Sequence, residues 1–265
     1  MTRPPFLLPV TLLDFFISGC ASIQLENAQA DKMKVAVQLT QHKNQTEIDL
    51  RVTHGLWNQP VQLTAGDAYL VSKTGEITTL INSSQKGHYS YRGPLLEDLS
   101  SMNVATLGSV NFPEIKQIQL NGQETFSGQT FTKDDLLRIS LQSTEAGERY
   151  LISEGKCSKH SYQTEQQIPT DAYDIELELH DIMRKINRAA KANLTGIIPV
   201  TLRIEERYKP QWQSPFIADK IAAIDTASFK VDTVGFRFRA SFGLKLGDNF
   251  FFNLAKDNYE DKYCY

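Results

Sequence analysis

The stretch Lys34-Val-Ala-Val-Gln-Leu-Thr-Gln-His-Lys-Asn-Gln-Thr-Glu-Ile-Asp-Leu-Arg-Val52 decides the fold class. Val35, Val37 and Leu39 alternate with polar residues, and so do Ile48, Leu50 and Val52. Successive side chains of a strand point to opposite faces, so this alternation buries one face of each run. The polar cluster from Gln41 to Thr46 separates them as a turn, which predicts an antiparallel pair.

The same phrasing continues downstream. Pro60–Leu63, Ala68–Val71, Ile77–Ile81 and the alternating Tyr89 and Tyr91 read as short strands, with Lys73-Thr-Gly-Glu76 as a turn. Val104–Val110 reads as one further strand. A new series follows Pro113: Ile115, Ile118 and Leu120 before an Asn121-Gly122 turn, then Asp135–Leu141 and Tyr150–Ile152. Tyr173–Leu179 alternates, Ile182–Leu194 reads as a helix ended by Gly196, and Ile197–Ile204 reads as a strand. Phe229–Val231, Phe236–Phe242 and Gly247–Leu254 close the pattern. Short strands with regular turn signals predict β-sandwich or barrel architecture. The expectation is an all-β chain of two tandem antiparallel β-sandwich domains with one short helix, with one large sandwich as the alternative. The first would span 32–112 and the second 113–265, with Pro113 at the boundary because proline cannot donate to a sheet ladder.

Before this body lies a different kind of sequence. Arg3 precedes an apolar run from Phe6 to Ile17, about twelve residues where a membrane-spanning helix needs roughly twenty. Its length, position and preceding positive charge predict a secretory signal peptide over 1–19. Asp14 and Pro9 interrupt the run, and Ala28-Gln29-Ala30 offers a second, later cleavage pattern. Ile17-Ser18-Gly19-Cys20 resembles the lipobox of bacterial lipoproteins. The resemblance implies a diacylglycerol on Cys20, cleavage just before it, and a small, polar tether over 20–31. Ala21 and Ser22, where an aspartate would favour retention in the inner membrane, imply the outer membrane facing the periplasm. The body also resembles uncharacterised bacterial lipoproteins with immunoglobulin-like sandwiches. Ser109-Val-Asn-Phe-Pro113 with Phe131–Leu136 looks like their inter-domain passage. Gly155-Lys-Cys157, Asp174-Ile-Glu-Leu and Val200–Glu205 look like their second domain. That group implies a fold and a location, not an activity.

Composition bounds the rest. The apolar fraction of 41% suffices for a core, and the formal net charge of −3 carries no basic block, so no nucleic-acid footprint is expected. Of three cysteines, Cys20 is assigned to lipid, and Cys157 and Cys264 form an even pair that reads as a disulfide in an oxidising compartment. The alternative is a reactive Cys157 thiol beside Lys156 and His160.

Chemistry-bearing motifs are sparse in this chain. Glu176, Glu178 and His180 would share one face of a strand, where they could hold a divalent ion or simply meet solvent; no metal or other cofactor is expected. There is no Gly-x-Ser-x-Gly elbow, and Asp257, Glu260 and Asp261 read as a solvated tail. Tyr208, Trp212 and Phe216, four residues apart with Pro210 and Pro215 between them, could stack on sugar rings, anchor a protein partner, or cover the end of a sandwich. Trp57 is expected in the core. The function expected is a non-enzymatic envelope lipoprotein, a binding or assembly module held to a membrane and meeting an envelope protein or glycan. An envelope hydrolase of glycan or peptide and a periplasmic carrier of an apolar ligand are the alternatives.

Overall fold

The computed structural model describes residues 22–83, 85–121, 126–132, 134–141, 147–234, 241–245, 251–255 and 260–264, with 241–245 and 251–255 as backbone alone. The lipobox residues 17–20, the Asn121-Gly122 turn at its second residue, and 236–240 lie outside the described residues. The chain is mostly β-strand arranged in several sheets, with one α-helix among the described residues. It divides into two compact units. One holds 1–40, 44–114 and 209–221; the other holds 41–43, 115–208 and 222–265. The break at 114/115 lies beside Pro113, but residues 209–221 return to the first unit, unlike a continuous second domain over 113–265.

The first unit contains β1 (Ile23–Gln24), β2 (Met33–His42) as far as Thr40, β3 (Gln45–His54), β4 (Gln59–Gln62), β5 (Ala68–Ser72), β6 (Ile77–Thr79), β7 (Ile81–Asn82), β8 (His88–Pro94), β9 (Leu99–Val104), β10 (Gly108–Asn111) and the opening residues, up to Ile221, of the strand that begins at Phe216. Val35, Val37, Leu39, Ile48, Leu50 and Val52 are all buried, as the alternation requires. The turn between β2 and β3 is tighter than the polar cluster suggests. Only Lys43 and Asn44 lie between the strands, with Lys43 at φ 45°, while Gln41 and Thr46 are buried strand residues. On its other side β3 pairs with β8 through Ile48↔Tyr91 and Leu50↔Tyr89, then with β4 through Thr53↔Pro60. Gly87 fits this junction for two reasons. Its φ is +74°, and a Cβ there would lie 2.8 Å from Pro60 Cβ and 2.9 Å from the Val52 carbonyl, which sits beside the Val52 N–H donating to Gly87.

A second sheet of the first unit runs β10-β9-β5-β6 and buries Leu70, Met102 and Val104. The span 104–110, expected as one strand, is instead a hairpin corner. Thr106 at φ 63° turns the chain between β9 and β10, whose register is Val104↔Gly108 and Met102↔Val110. Residues 23–32, expected as part of a tether, belong to the fold. Ile23 and Gln24 pair in parallel with Val61 and Gln62, and two short 3-10 turns carry the chain to Lys32.

The second unit contains β11 (Leu120–Asn121), β12 (Thr130–Phe131), β13 (Leu136–Leu141), β14 (Glu148–Cys157), β15 (His160–Ile168), β16 (Asp174–Glu178), α1 (Leu179–Ala190), β17 (Asn193–Thr195), β18 (Ile197–Tyr208), the later part of β19 (Phe216–Asp232), β20 (Ser241–Lys245), β21 (Phe251–Ala255) and β22 (Asp261–Tyr263). Its main sheet runs β19-β18-β14-β15, with β12 beside β19. Phe126 and Phe131 meet Phe229 edge to face at 6.1 and 5.6 Å.

The helix begins at Leu179 and ends at Ala190, earlier at both ends than 182–194. Leu179, Ile182, Met183 and Ile186 fall at i, i+3, i+4 and i+7 and are all buried, so the apolar stripe starts at Leu179. Lys191 in the left-handed region ends it, with its N–H donating to the Arg188 and Asn187 carbonyls. Gly196 serves a different purpose. At φ +121°, its missing Cβ would stand 3.1 Å from the Cys264 carbonyl.

Candidate functional site

The β3–β4 turn carries the most exposed large apolar residues described. Gly55 at φ +69° and Asn58 at φ 48° bend the chain, and the Asn58 N–H donates to the Gly55 carbonyl at 3.3 Å. Between them Leu56 is 95% and Trp57 89% exposed, so Trp57 is not in the core. The turn is shaped by its backbone, which leaves both side chains outside. Below it, the Gly55 N–H donates to the Lys32 carbonyl at 2.9 Å. A shallow groove of about 560 Å³ follows, lined by Lys32, Lys34, Leu56, Pro215 and the half-exposed Ile217.

The predicted aromatic loop is split. Tyr208 ends β18 in the second unit and is buried; its hydroxyl donates to Glu206 Oε1 at 2.9 Å and accepts the Lys116 N–H at 3.2 Å. Phe216, in the first unit, is also buried. Of the three, Trp212 alone reaches a groove while partly exposed. It packs edge to face on Phe112 at 5.7 Å, and its Nε1–H donates to the Asn111 carbonyl at 2.9 Å. That groove, about 610 Å³, runs between residues 107–113 and 210–216. One wall is β10, the end strand of its sheet, whose second side has no strand partner among the described residues. Tyr208 and Phe216 therefore do not join Trp212 in an exposed aromatic cluster.

The second unit concentrates buried charge along β14 and β18. Arg149, Glu205, Glu206 and, on β19, Asp225 are fully buried. The Arg149 guanidinium donates to the Ala172 carbonyl at 3.1 Å and to Glu206 Oε2 at 3.5 Å. Arg207 forks onto Glu165, with Nη2–Oε2 at 2.6 Å and Nη1–Oε1 at 3.0 Å; it also donates to Glu205 and lies 4.1 Å over the Tyr150 ring. The Glu165 bonds, and after them Glu205, hold the Arg207 guanidinium above its ordinary value against the cost of burial. Asp225 accepts the Leu120 N–H and the Thr226 N–H, each at 2.8 Å, and faces Lys43 Nζ at 3.4 Å. Each carboxylate here holds a backbone amide, a guanidinium, an ammonium or a hydroxyl, so the arrangement fastens strands together.

Glu176, Glu178 and His180 do not share a strand face. The strand ends at Glu178, which precedes the helix that holds His180, and Glu176 is engaged by Arg138 at 2.9 Å. Among the described residues no group of three or more His, Cys, Asp or Glu side chains is arranged to hold a metal.

Cys157, buried at the end of β14, is bonded to Cys264, with their Cα atoms 4.7 Å apart. The bridge fixes β22 beside β17, where the Cys264 N–H donates to the Thr195 carbonyl at 2.9 Å and Lys262 Nζ to the Tyr162 hydroxyl at 2.7 Å. A free, reactive Cys157 thiol is not present. Cys20 lies outside the described residues.

No protein-family model matches the sequence, and no curated protein matches it. Solved structures overlay at low similarity. A cytokine receptor complex is 11% identical over 74% of this chain and 95% of that chain, at a TM-score of 0.28. A segment of two fibronectin type-III domains from chicken tenascin is 10% identical over 73% of this chain and 98% of that one, at 0.21. The native conformation of alpha-2-macroglobulin from E. coli is 7% identical over 76% of this chain and 14% of that one, at 0.22.

Proposed function

We propose that this chain is an envelope lipoprotein of the outer membrane, held through a lipid on Cys20, whose body is a non-catalytic binding module of two tandem immunoglobulin-like sandwiches. The observation that carries the reading is Ile17-Ser18-Gly19-Cys20 at the end of a short apolar run, with Cys20 three residues before Ile23, where the first strand among the described residues begins. The Cys157–Cys264 bridge supports an oxidising compartment.

The working surface is the groove along β10. An end strand offers unpaired backbone groups on one side, and an extended peptide can add there as a further strand. Trp212 supplies a ring beside that edge and, through Asn111, already shows an indole donor using one of its carbonyls. The partner is therefore an extended segment of another envelope protein.

Two measurements test this. Cys20→Ala is expected to abolish incorporation of labelled fatty acid and to move the protein out of the membrane fraction; retained membrane association refutes the anchor. A photocrosslinker at Ser109 or Gln211 in intact cells is expected to trap one discrete protein, while the same probe at Glu97 traps none. Equal labelling at all three positions refutes the groove.

A further inference from the structure

The Leu56 and Trp57 side chains take no part in the core described above, and the place of their turn in the first unit points to what covers them. β1 and β4 run parallel, with Ile23 opposite Val61 and Gln24 opposite Gln62. Parallel strands start at the same end. Counting back from Ile23, Cys20 is three residues away; counting back from Val61 by the same number reaches Asn58, at the foot of the turn. Three residues of chain reach at most about 10 Å. A lipid on Cys20 is thus held within about 10 Å of Ile23, and β1 starts at the same end as β4, where the Leu56–Trp57 turn enters it.

The chemistry around the turn fits the surface that would lie there. Tryptophan favours the headgroup level of a bilayer, where an apolar ring with one polar N–H has both of its requirements met. Leu56 and the half-exposed Ile217 and Pro215 add apolar surface behind it, and the exposed Lys32 and Lys34, which outnumber the neighbouring Asp31, stand on the flank, where ammonium groups can meet lipid phosphates.

We propose that the Leu56–Trp57 turn is a second membrane contact. It seats in the headgroup interface of the phospholipid leaflet that holds the Cys20 acyl chains, and so sets the end of the first unit against that leaflet. This rests on the lipidation of Cys20 proposed above.

The test uses the full mature lipidated protein carrying Trp212→Phe, so that Trp57 is the remaining one of two tryptophans. It is reconstituted in phosphatidylethanolamine–phosphatidylglycerol vesicles with and without brominated acyl chains. Blue-shifted emission and a loss of at least half the Trp57 fluorescence on bromination is the expected result. Flotation of the protein with the vesicles while Trp57 stays water-like and unquenched overturns the inference and leaves the anchor intact. Failure to float, with mass spectrometry showing an unmodified Cys20, overturns the anchor and this inference together. Comparing wild type with Trp57→Phe gives the same quenching difference without touching Trp212. Leu56→Ser with Trp57→Ser should leave circular dichroism unchanged, because both side chains are outside the core.

Discussion

Removing the Cys157–Cys264 bridge should cost the second unit a large share of its stability, and the size follows from the chain. The two cysteines are 107 residues apart. Closing a loop of that length removes about 16 cal/mol/K of chain entropy from the unfolded state, about 4.8 kcal/mol at 25 °C in the loop-closure treatment. Domains are stable by about 5–15 kcal/mol in all, so the loss is a third or more of the total. The variant is Cys157→Ala with Cys264→Ser. Cys157 is fully buried and behaves as a small apolar side chain, so alanine keeps its character, and Cys264 is half-buried and accepts a hydroxyl. With a urea slope of about 2 kcal/mol/M, the midpoint should fall by about 2 M.

Hydrogen exchange adds a local readout for the same variant. Without the bridge, the tail is held by the β17–β22 pairing, the Asn193–Asp261 bond and the Lys262–Tyr162 contact. The amides of Cys264 and Asn193, which donate to Thr195 and Glu260, should then lose protection before those of β14 and β18. An unchanged midpoint together with unchanged exchange at those amides would show that the tail is held by its own contacts and that the loop-closure account is wrong.

Two further outcomes follow from the polar groups. Arg149→Ala removes the cation facing fully buried Glu206 and should cost about 3–5 kcal/mol in chemical denaturation, whereas Arg149→Met with Glu206→Gln should regain much of it; equal losses in both variants would refute a charge-based origin. Desolvation, with Arg51 opposite it in the ladder, lowers the His88 imidazole below 6.5, while Asp49 opposes the shift. The folded state then binds fewer protons than the unfolded one, so this contribution is fully present above pH 6.5 and is lost as pH falls through the lowered value. An NMR titration should place His88 below 6.5 and Arg51→Gln should raise it; a midpoint at or above 6.5 in the parent would refute the assignment.

What could be read from sequence was whatever a single period encodes. Alternation at 35–39 and 48–52 located two strands because one face of each is buried and the other wet. β19 carried that signal only near its end, at Phe229–Val231. Ile221 to Asp225 are buried consecutively, so both faces are covered and a period of two disappears just where the longest strand runs. The helix start was misplaced because Ile175, Leu177 and Leu179 continue one alternation, although Leu179 also opens the stripe through Ile182 and Ile186. A positive φ at Thr106 sets the corner between β9 and β10, and a threonine gives no notice of it, whereas the turn that projects Trp57 rests on Gly55 and Asn58, residue types that favour such values. The aromatic loop misled for a related reason. Spacing of four residues says nothing of burial, and the chain crosses from one unit to the other between Tyr208 and Lys209.

The short lead from Cys20 to Ile23 gives the exposed turn its meaning on the proposed reading. A free tether over 20–31 would span up to about 40 Å and let the body stand well clear of a bilayer. With β1 paired to β4, at most about 10 Å of chain remains between the lipid and the fold. A body held that closely must present headgroups with a surface they tolerate. A tryptophan and a leucine in full contact with water are a liability for a protein that diffuses freely, since such surface invites association. At the end from which a lipid emerges the same two residues lose that cost, because the bilayer interface is where they would be covered. A ten-residue Gly/Ser insertion after Ser22 separates the two effects. If the turn has its own affinity, Trp57 stays quenched by brominated lipid after the insertion. If the short lead alone forces the contact, quenching falls toward that of a freely tethered body, and the turn is a bystander rather than a second anchor.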